Sequence, residues 1–188
     1  QSNPVTARLL TSLAVILAKA ASLQAAATTI LENEPWDFLG VYFQALDELG
    51  HHFMPWHPPV LPGVDPGEAA LFGGVMEMAY QFHDMMLGQL LHLAGPDTTL
   101  VLVSDHGFES GAQRPGTIAN DHATMAGWHR RYGIITMAGP GLTSGERLYG
   151  SSVLDVTPTI LHLFGLAVGE DMDGKVLVGA LQNPAPLT

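Results

Sequence analysis

Apolar and polar positions change period several times along the chain, and each change marks an element. Val5 to Leu31 is rich in Ala and Leu, both strong helix formers, and Pro35 disfavours helical geometry in the residue before it. The pattern predicts one long amphipathic helix. A signal peptide is the competing reading, because Arg8 precedes a short apolar run. Lys19 interrupts that run after ten uncharged residues, too few for a membrane span of about 20, so no transmembrane segment is expected. Trp36 to Phe43 is aromatic and branched, as a buried strand would be. Pro55 to Pro66 holds five prolines and must be a surface loop. From Glu68 to Leu93 apolar residues recur at three- and four-residue steps, a helix stopped by Gly95-Pro96.

Thr98 to Ser104 is a nearly unbroken apolar run, the pattern of a parallel strand covered on both faces. Residues 109–121 are polar and glycine-containing, hence a loop, and Tyr132 to Ala138 reads as a third buried strand. Thr159 to Phe164 reads as a helix, with Thr157 as its cap, Pro158 in its first turn and Gly165 just past its end. Alternation of helices and buried strands implies an α/β fold, a three-layer αβα sandwich on a mainly parallel sheet. Gln1-Ser2-Asn3 reads as a tag remnant, and residues 4–188 as a single α/β domain.

Composition narrows the functional classes. The 188 residues are 47% hydrophobic and 13% charged, which suits a folded core and not a disordered or fibrous chain. A formal net charge of -11 argues against wrapping nucleic acid with a basic face. The exception is an acidic site neutralised by bound cations, and nine histidines against two lysines point that way. With no cysteine, disulfides and thiolate zinc sites are excluded, but the compartment is not fixed; a cytoplasmic one is slightly favoured.

The candidate chemistry gathers at one sheet edge. Asp47 and His51 follow the first expected strand, Asp105 and His106 the second, and His129 lies just ahead of the third. An Asp and a His four residues apart share one helix face, and carboxylate oxygen with imidazole nitrogen is a good zinc donor set. Other histidines have simpler roles: His57 pins its proline loop, while His83, His92 and His162 are surface or packing groups. Met78, Met85 and Met86 read as core filling. Asp155 serves a helix start, and Asp171 to Gly174 is a tight turn without the ligand spacing of a calcium loop. Arg130 and Arg131 can touch phosphate or pair with the acidic excess.

Four segments together resemble a known family. They are Tyr42 to Met54 (Tyr-Phe-Gln-Ala-Leu-Asp-Glu-Leu-Gly-His-His-Phe-Met), Val101 to Phe108 (Val-Leu-Val-Ser-Asp-His-Gly-Phe), His129 to Gly141, and Val153 to Gly165. In this order they resemble the carboxyl-terminal part of type I phosphodiesterase/nucleotide pyrophosphatase proteins of the alkaline phosphatase superfamily, over about Ala26 to Leu177. The resemblance implies metal-dependent hydrolysis of phosphoric esters, with a small phosphate ester or nucleotide as substrate and two divalent cations, zinc ahead of manganese. It implies that Asp47, His51 and His129 bind one metal and that Asp105 and His106 contribute to the second. His129 is preferred because His129-Arg130-Arg131-Tyr132-Gly133-Ile134 is similar to the family's His-Arg-x-x-Gly-Ile run; His122, in the same loop, and His52, beside His51, are the alternatives.

The family's Ser or Thr nucleophile and a further metal-binding Asp have no counterpart ahead of Asp47, and neither Ser104 nor Thr124 fits the nucleophile's place. The expectation is therefore a portion of a larger catalytic domain that supplies most metal ligands and no nucleophile, is inactive by itself, and self-associates through the sheet edge it leaves exposed. The alternative is a non-catalytic metal-binding or assembly module.

Overall fold

The computed structural model describes residues 4–112, 114–115 and 126–184. The expected tag remnant and two residues weighed above, His122 and Thr124, lie outside them. The chain divides into two compact units, Gln1–Gly95 with Phe108–Arg130, and Pro96–Gly107 with Arg131–Thr188.

The first unit is mainly helical. The Ala- and Leu-rich run forms α1 (Pro4–Asn33) as expected, and its buried stripe is Leu9, Ile16, Ala20, Gln24 and Ala27. The spacing of these residues follows the helical repeat, so one side faces α2 (Ala45–Phe53) and α4 (Val75–Ala94). Gln24 Nε2 donates to the Met86 carbonyl at 3.0 Å and to Gln89 Oε1 at 3.3 Å, fastening α1 to α4. Lys19 pairs with Glu48 at 3.3 Å across α1 and α2, an exposed contact worth little by itself. By length and composition α1 is also apolar enough to cross a membrane, a weaker exclusion than the charge of Lys19 suggested.

The expected strand at Trp36 to Phe43 does not form; these residues are irregular and lead directly into α2. Of its aromatics Phe43 is set against the core and edge-on to His83 at 5.7 Å, whereas Phe38 and Tyr42 are exposed. The helix expected over Glu68 to Leu93 is two, α3 (Pro66–Phe72) and α4, broken at Gly73-Gly74. A Cβ on Gly73 would lie 2.6 Å from the Ala69 carbonyl oxygen in the last turn of α3 and 3.2 Å from that of Trp56, so the bare backbone lets the segment after α2 approach. Asp65 caps α3 by accepting the Glu68 amide at 2.9 Å, ahead of Pro66. Leu49, Phe53, Trp56, Phe72 and Trp128 form the centre of the core. Met86 belongs to it, but Met78 and Met85 are exposed, contrary to the core role expected of all three.

In the second unit β1 (Leu100–Ser104) pairs with β4 (Ile134–Ala138), Leu100 opposite Ala138 and Ser104 opposite Ile134. The ladder is antiparallel, so the mainly parallel sheet is not confirmed. Two two-stranded sheets form among the described residues, the other from β2 (Gly107–Phe108) and β3 (His129–Arg130). The apolar run of β1 was expected to be covered on both faces, yet Leu102 and Val103 are exposed, and β4 alternates between exposed and half-buried positions. A continuous apolar run records the need for cover and not the direction of pairing. Gly133 explains itself here, since a Cβ would fall on the Ser104 carbonyl oxygen at the end of the ladder.

The carboxyl-terminal helix, α5 (Val156–Leu163), starts earlier than expected, and Thr157 is not its cap. A 3-10 turn, Val153–Asp155, precedes it with a capping box between Ser152 and Asp155. Asp155 does serve the helix start: its buried carboxylate accepts the Ser152 amide at 2.8 Å and the Lys175 amide at 2.8 Å. Gly165 follows the helix at φ 68°, and the Asp171 region is a turn.

Replacing Asp155 by Ala leaves two amide donors without their acceptor, and about 2–4 kcal/mol of stability is expected to go with them. The change is read as a lowered urea midpoint, with faster hydrogen exchange at Ser152 and Lys175. Asp155→Asn, which keeps one acceptor oxygen, should fall between; equal midpoints for all three proteins would refute the assignment.

Candidate metal centre

Helix α2 brings the first two functional groups together because Asp47 and His51 are one turn apart on its surface. The third arrives from β3, which reaches the same place through contacts made by Phe108 and Trp128. The Glu109 amide donates to the Trp128 carbonyl at 2.9 Å, and Trp128 is fully buried in the core. His129 thus starts from an anchored residue.

His51 Nε2 lies 3.4 Å from Asp47 Oδ1, His129 Nε2 lies 3.6 Å from the same oxygen, and the two Nε2 atoms are 2.9 Å apart. Zinc bonds of about 2.0–2.1 Å would set tetrahedral ligand atoms about 3.3–3.4 Å from one another. The observed triangle is close to one face of such a tetrahedron, and among the described residues no fourth His or acidic ligand joins it. Among the described residues, these are the three His or acidic side chains that can hold a metal ion together. His51 is only 5% exposed, whereas Asp47 and His129 are half-buried, so the group opens on one side.

Phe108 sets the imidazole planes. Its ring centroid is 5.0 Å from that of His51 and 5.3 Å from that of His129, edge-on to both. It also fills the space beside Gly50, where an added Cβ would come within 2.6–2.9 Å of three ring atoms. Neither Phe108 nor Gly50 was singled out in the sequence, although both sit inside the segments that carry the motifs. His52 points elsewhere: burial lowers its pKa from the usual 6.5, Glu48 pulls it back up, and Arg8 adds to the lowering. Between the two adjacent histidines, the one in the cluster is His51.

Asp105 and His106 lie in the second unit, in the turn after β1, and form a pair with Oδ1 to Nε2 at 3.9 Å. Asp105 Oδ1 accepts the His106 amide at 3.1 Å, and its side chain is 76% exposed. His106 Nδ1 is 3.2 Å from the Gly107 carbonyl, and Ser104 Oγ donates to the His106 carbonyl at 2.6 Å. The hydroxyl of Ser104 therefore serves its turn.

The remaining candidates resolve simply. His83 Nδ1 is 2.8 Å from the Ala79 carbonyl, while its Nε2 is buried without a hydrogen-bond partner among the described residues. The loop carrying His57 is pinned, but through main-chain oxygens, the His57 carbonyl among them, that accept from Arg114. Arg130 pairs with Glu109 at 3.5 Å, and Arg131 stacks over Tyr132 at 5.9 Å.

The model of the family described as type I phosphodiesterase / nucleotide pyrophosphatase matches residues 4–157, most of the chain. The chain belongs to that family. No curated protein and no solved structure matches it. Members of the type I phosphodiesterase family are hydrolases acting on small phosphate esters or nucleotides, and the matched span contains Asp47, His51, Asp105, His106 and His129. It begins ahead of the resembling segments, at α1, and stops within the first residues of α5.

Because the Phe108 ring is held between two imidazoles, it cannot yield without moving them. Gly50→Ala is expected to cost about 1–3 kcal/mol by overpacking. In a Phe108→Leu background the same substitution should cost markedly less, as measured by a double-mutant cycle on urea midpoints. Additive costs would show that the contact is not the source.

Proposed function

We propose that Asp47, His51 and His129 form one metal site of a phosphoric-ester hydrolase. The observation that carries this reading is the convergence of one carboxylate oxygen and two imidazole nitrogens within 3.6 Å, with no fourth His or acidic ligand among the described residues. Three protein ligands and an open position suit catalysis and not a structural zinc. Without a cation, two nitrogens 2.9 Å apart must share a proton. A divalent cation held there supplies Lewis acidity toward a phosphoryl oxygen and acidifies a coordinated hydroxyl or water.

The donor set also fixes the electrostatics. One carboxylate and two neutral imidazoles leave a divalent cation a net single positive charge, which attracts a phosphate anion to a chain of net charge -11. Asp105 and His106 are proposed to contribute to a second cation site, and zinc is the favoured metal for both, with manganese next. The nucleophile is not assigned to this chain, so turnover is proposed for a longer protein that carries one. In such a protein the ladder of β1 and β4 would extend into the αβα sandwich, and the exposure of Leu102, Val103 and Ile134 supports a further layer over them. Until it is covered, the same surface can hold a second copy of the chain.

Zinc binding to the folded chain should raise its melting temperature by an amount that grows with concentration; at 100 times the dissociation constant the gain is about 2.7 kcal/mol. His51→Ala is expected to abolish the rise, and an unchanged melting curve in the unsubstituted protein would count against a preformed site. Hydrolysis of a phosphodiester and a phosphomonoester, assayed with added Zn or Mn, should be absent for this chain and present for one extended at its amino terminus. Turnover by the short chain would overturn the missing-nucleophile reading. Absence from both would favour the non-catalytic module.

A further inference from the structure

Arg114 is buried to 3% exposure, and among the described residues no carboxylate pairs with it. Its guanidinium is instead surrounded by main-chain oxygens. Nε donates to the Met54 carbonyl at 3.0 Å. Nη2 donates to the carbonyls of Pro59 at 2.8 Å, Pro55 at 3.4 Å and His57. Nη1 donates to those of Ser110 at 3.1 Å and Gly111 at 3.0 Å. The planar fork of five N–H groups is what makes one side chain able to serve so many acceptors.

The acceptors need such a donor. Residues 54–59 follow α2 through a 3-10 turn into a proline run, where three residues lack an N–H and regular pairing cannot satisfy the carbonyls. Burying a cation with only neutral dipoles around it is costly, and that burial pushes the Arg114 pKa below its ordinary value. An arrangement this expensive and this many-handed is rigid, because moving either segment breaks several charge-assisted bonds together.

What it joins gives it meaning. One set of acceptors continues α2, the helix of Asp47 and His51. The other lies two and three residues beyond Phe108, the ring set against His51, His129 and Gly50. We propose that Arg114 is a positioning residue of the metal centre, tying the end of α2 to the segment that carries Phe108 and thereby setting the spacing of Asp47, His51 and His129. The inference rests on reading that triad as a metal site.

Cobalt(II) is the probe, because its visible absorption reports coordination geometry as well as occupancy. The full chain should develop a tetrahedral-type band on titration, and His51→Ala should not. Arg114→Met is expected to keep its helical circular dichroism, to bind cobalt about 10–100-fold more weakly, as loss of outer support typically does, and to show an altered band. Arg114→Lys, with the charge but not the fork, should recover only part of the affinity. Added guanidinium at low millimolar concentration should restore both affinity and band in Arg114→Ala.

A band and affinity in Arg114→Met equal to those of the unsubstituted chain, with His51→Ala silent, would overturn the positioning role and leave the triad standing. No band in the unsubstituted chain, or the same band in His51→Ala, would overturn the metal site and this inference with it. Should Arg114→Met lose its helical signal, the guanidinium arm decides: a fold restored without the cobalt affinity would reduce Arg114 to a structural part and refute the proposal.

Discussion

The ring of Phe108 against the bare Cα of Gly50 is the contact on which the site depends. It lets a two-residue strand lie close enough to α2 for His129 to reach a carboxylate and an imidazole that are 82 and 78 positions earlier in the chain. A side chain on residue 50 would hold the strand off, and a smaller residue at 108 would leave both imidazoles unsupported. Around this contact the core is ordered by size. Trp128 locks the strand, Phe53 and Trp56 lock the end of the helix, and α1 and α4 close over the opposite side.

Electrostatics and packing divide the work cleanly in this region. The apolar core sets where α2 and β3 meet, but it cannot fix a donor triangle to tenths of an ångström, since apolar contacts are non-directional. Directional bonds do that: the 3-10 turn after α2, the amide of Glu109 on the carbonyl of Trp128, and the guanidinium of Arg114 among its carbonyls. An acidic chain with few basic residues places one of its seven Lys and Arg inside, where no carboxylate among the described residues pairs with it.

Legibility in the sequence followed the range of the interaction responsible. Local signals read well: α1 between its termini, the role of Asp155, the stop at Gly165, the helical spacing of Asp47 and His51. Direction of strand pairing did not, because the apolar run from Leu100 to Val103 is compatible with either sense and its cover is not among its neighbours in sequence. Trp36 to Phe43 has strand composition but no partner strand among the described residues, so Phe43 packs on the core while Phe38 and Tyr42 stay exposed. Met78 and Met85 fit the helix period yet fall on its outer side; the period alone does not say which stripe faces in. The grouping of His129 with α2 came from the likeness of His129 to Ile134 to the family's His-Arg-x-x-Gly-Ile run, whereas Gly50, Phe108 and Arg114 carried no signal that spacing or residue type could reveal. Their roles exist only in three dimensions.

The first unit is discontinuous: it is left at Gly95 and resumed at Phe108. Its helices, already complete by Ala94, hold only two of the three donor atoms. During synthesis the chain must make the whole of β1 and return before Phe108 and His129 can be added. The site is thus a late product of folding, closed by a contact of long sequence separation whose loop-closure entropy is paid after the helices have formed. A nascent chain released before residue 129 would carry an acidic, histidine-bearing helix with two of the three converging groups and without the third.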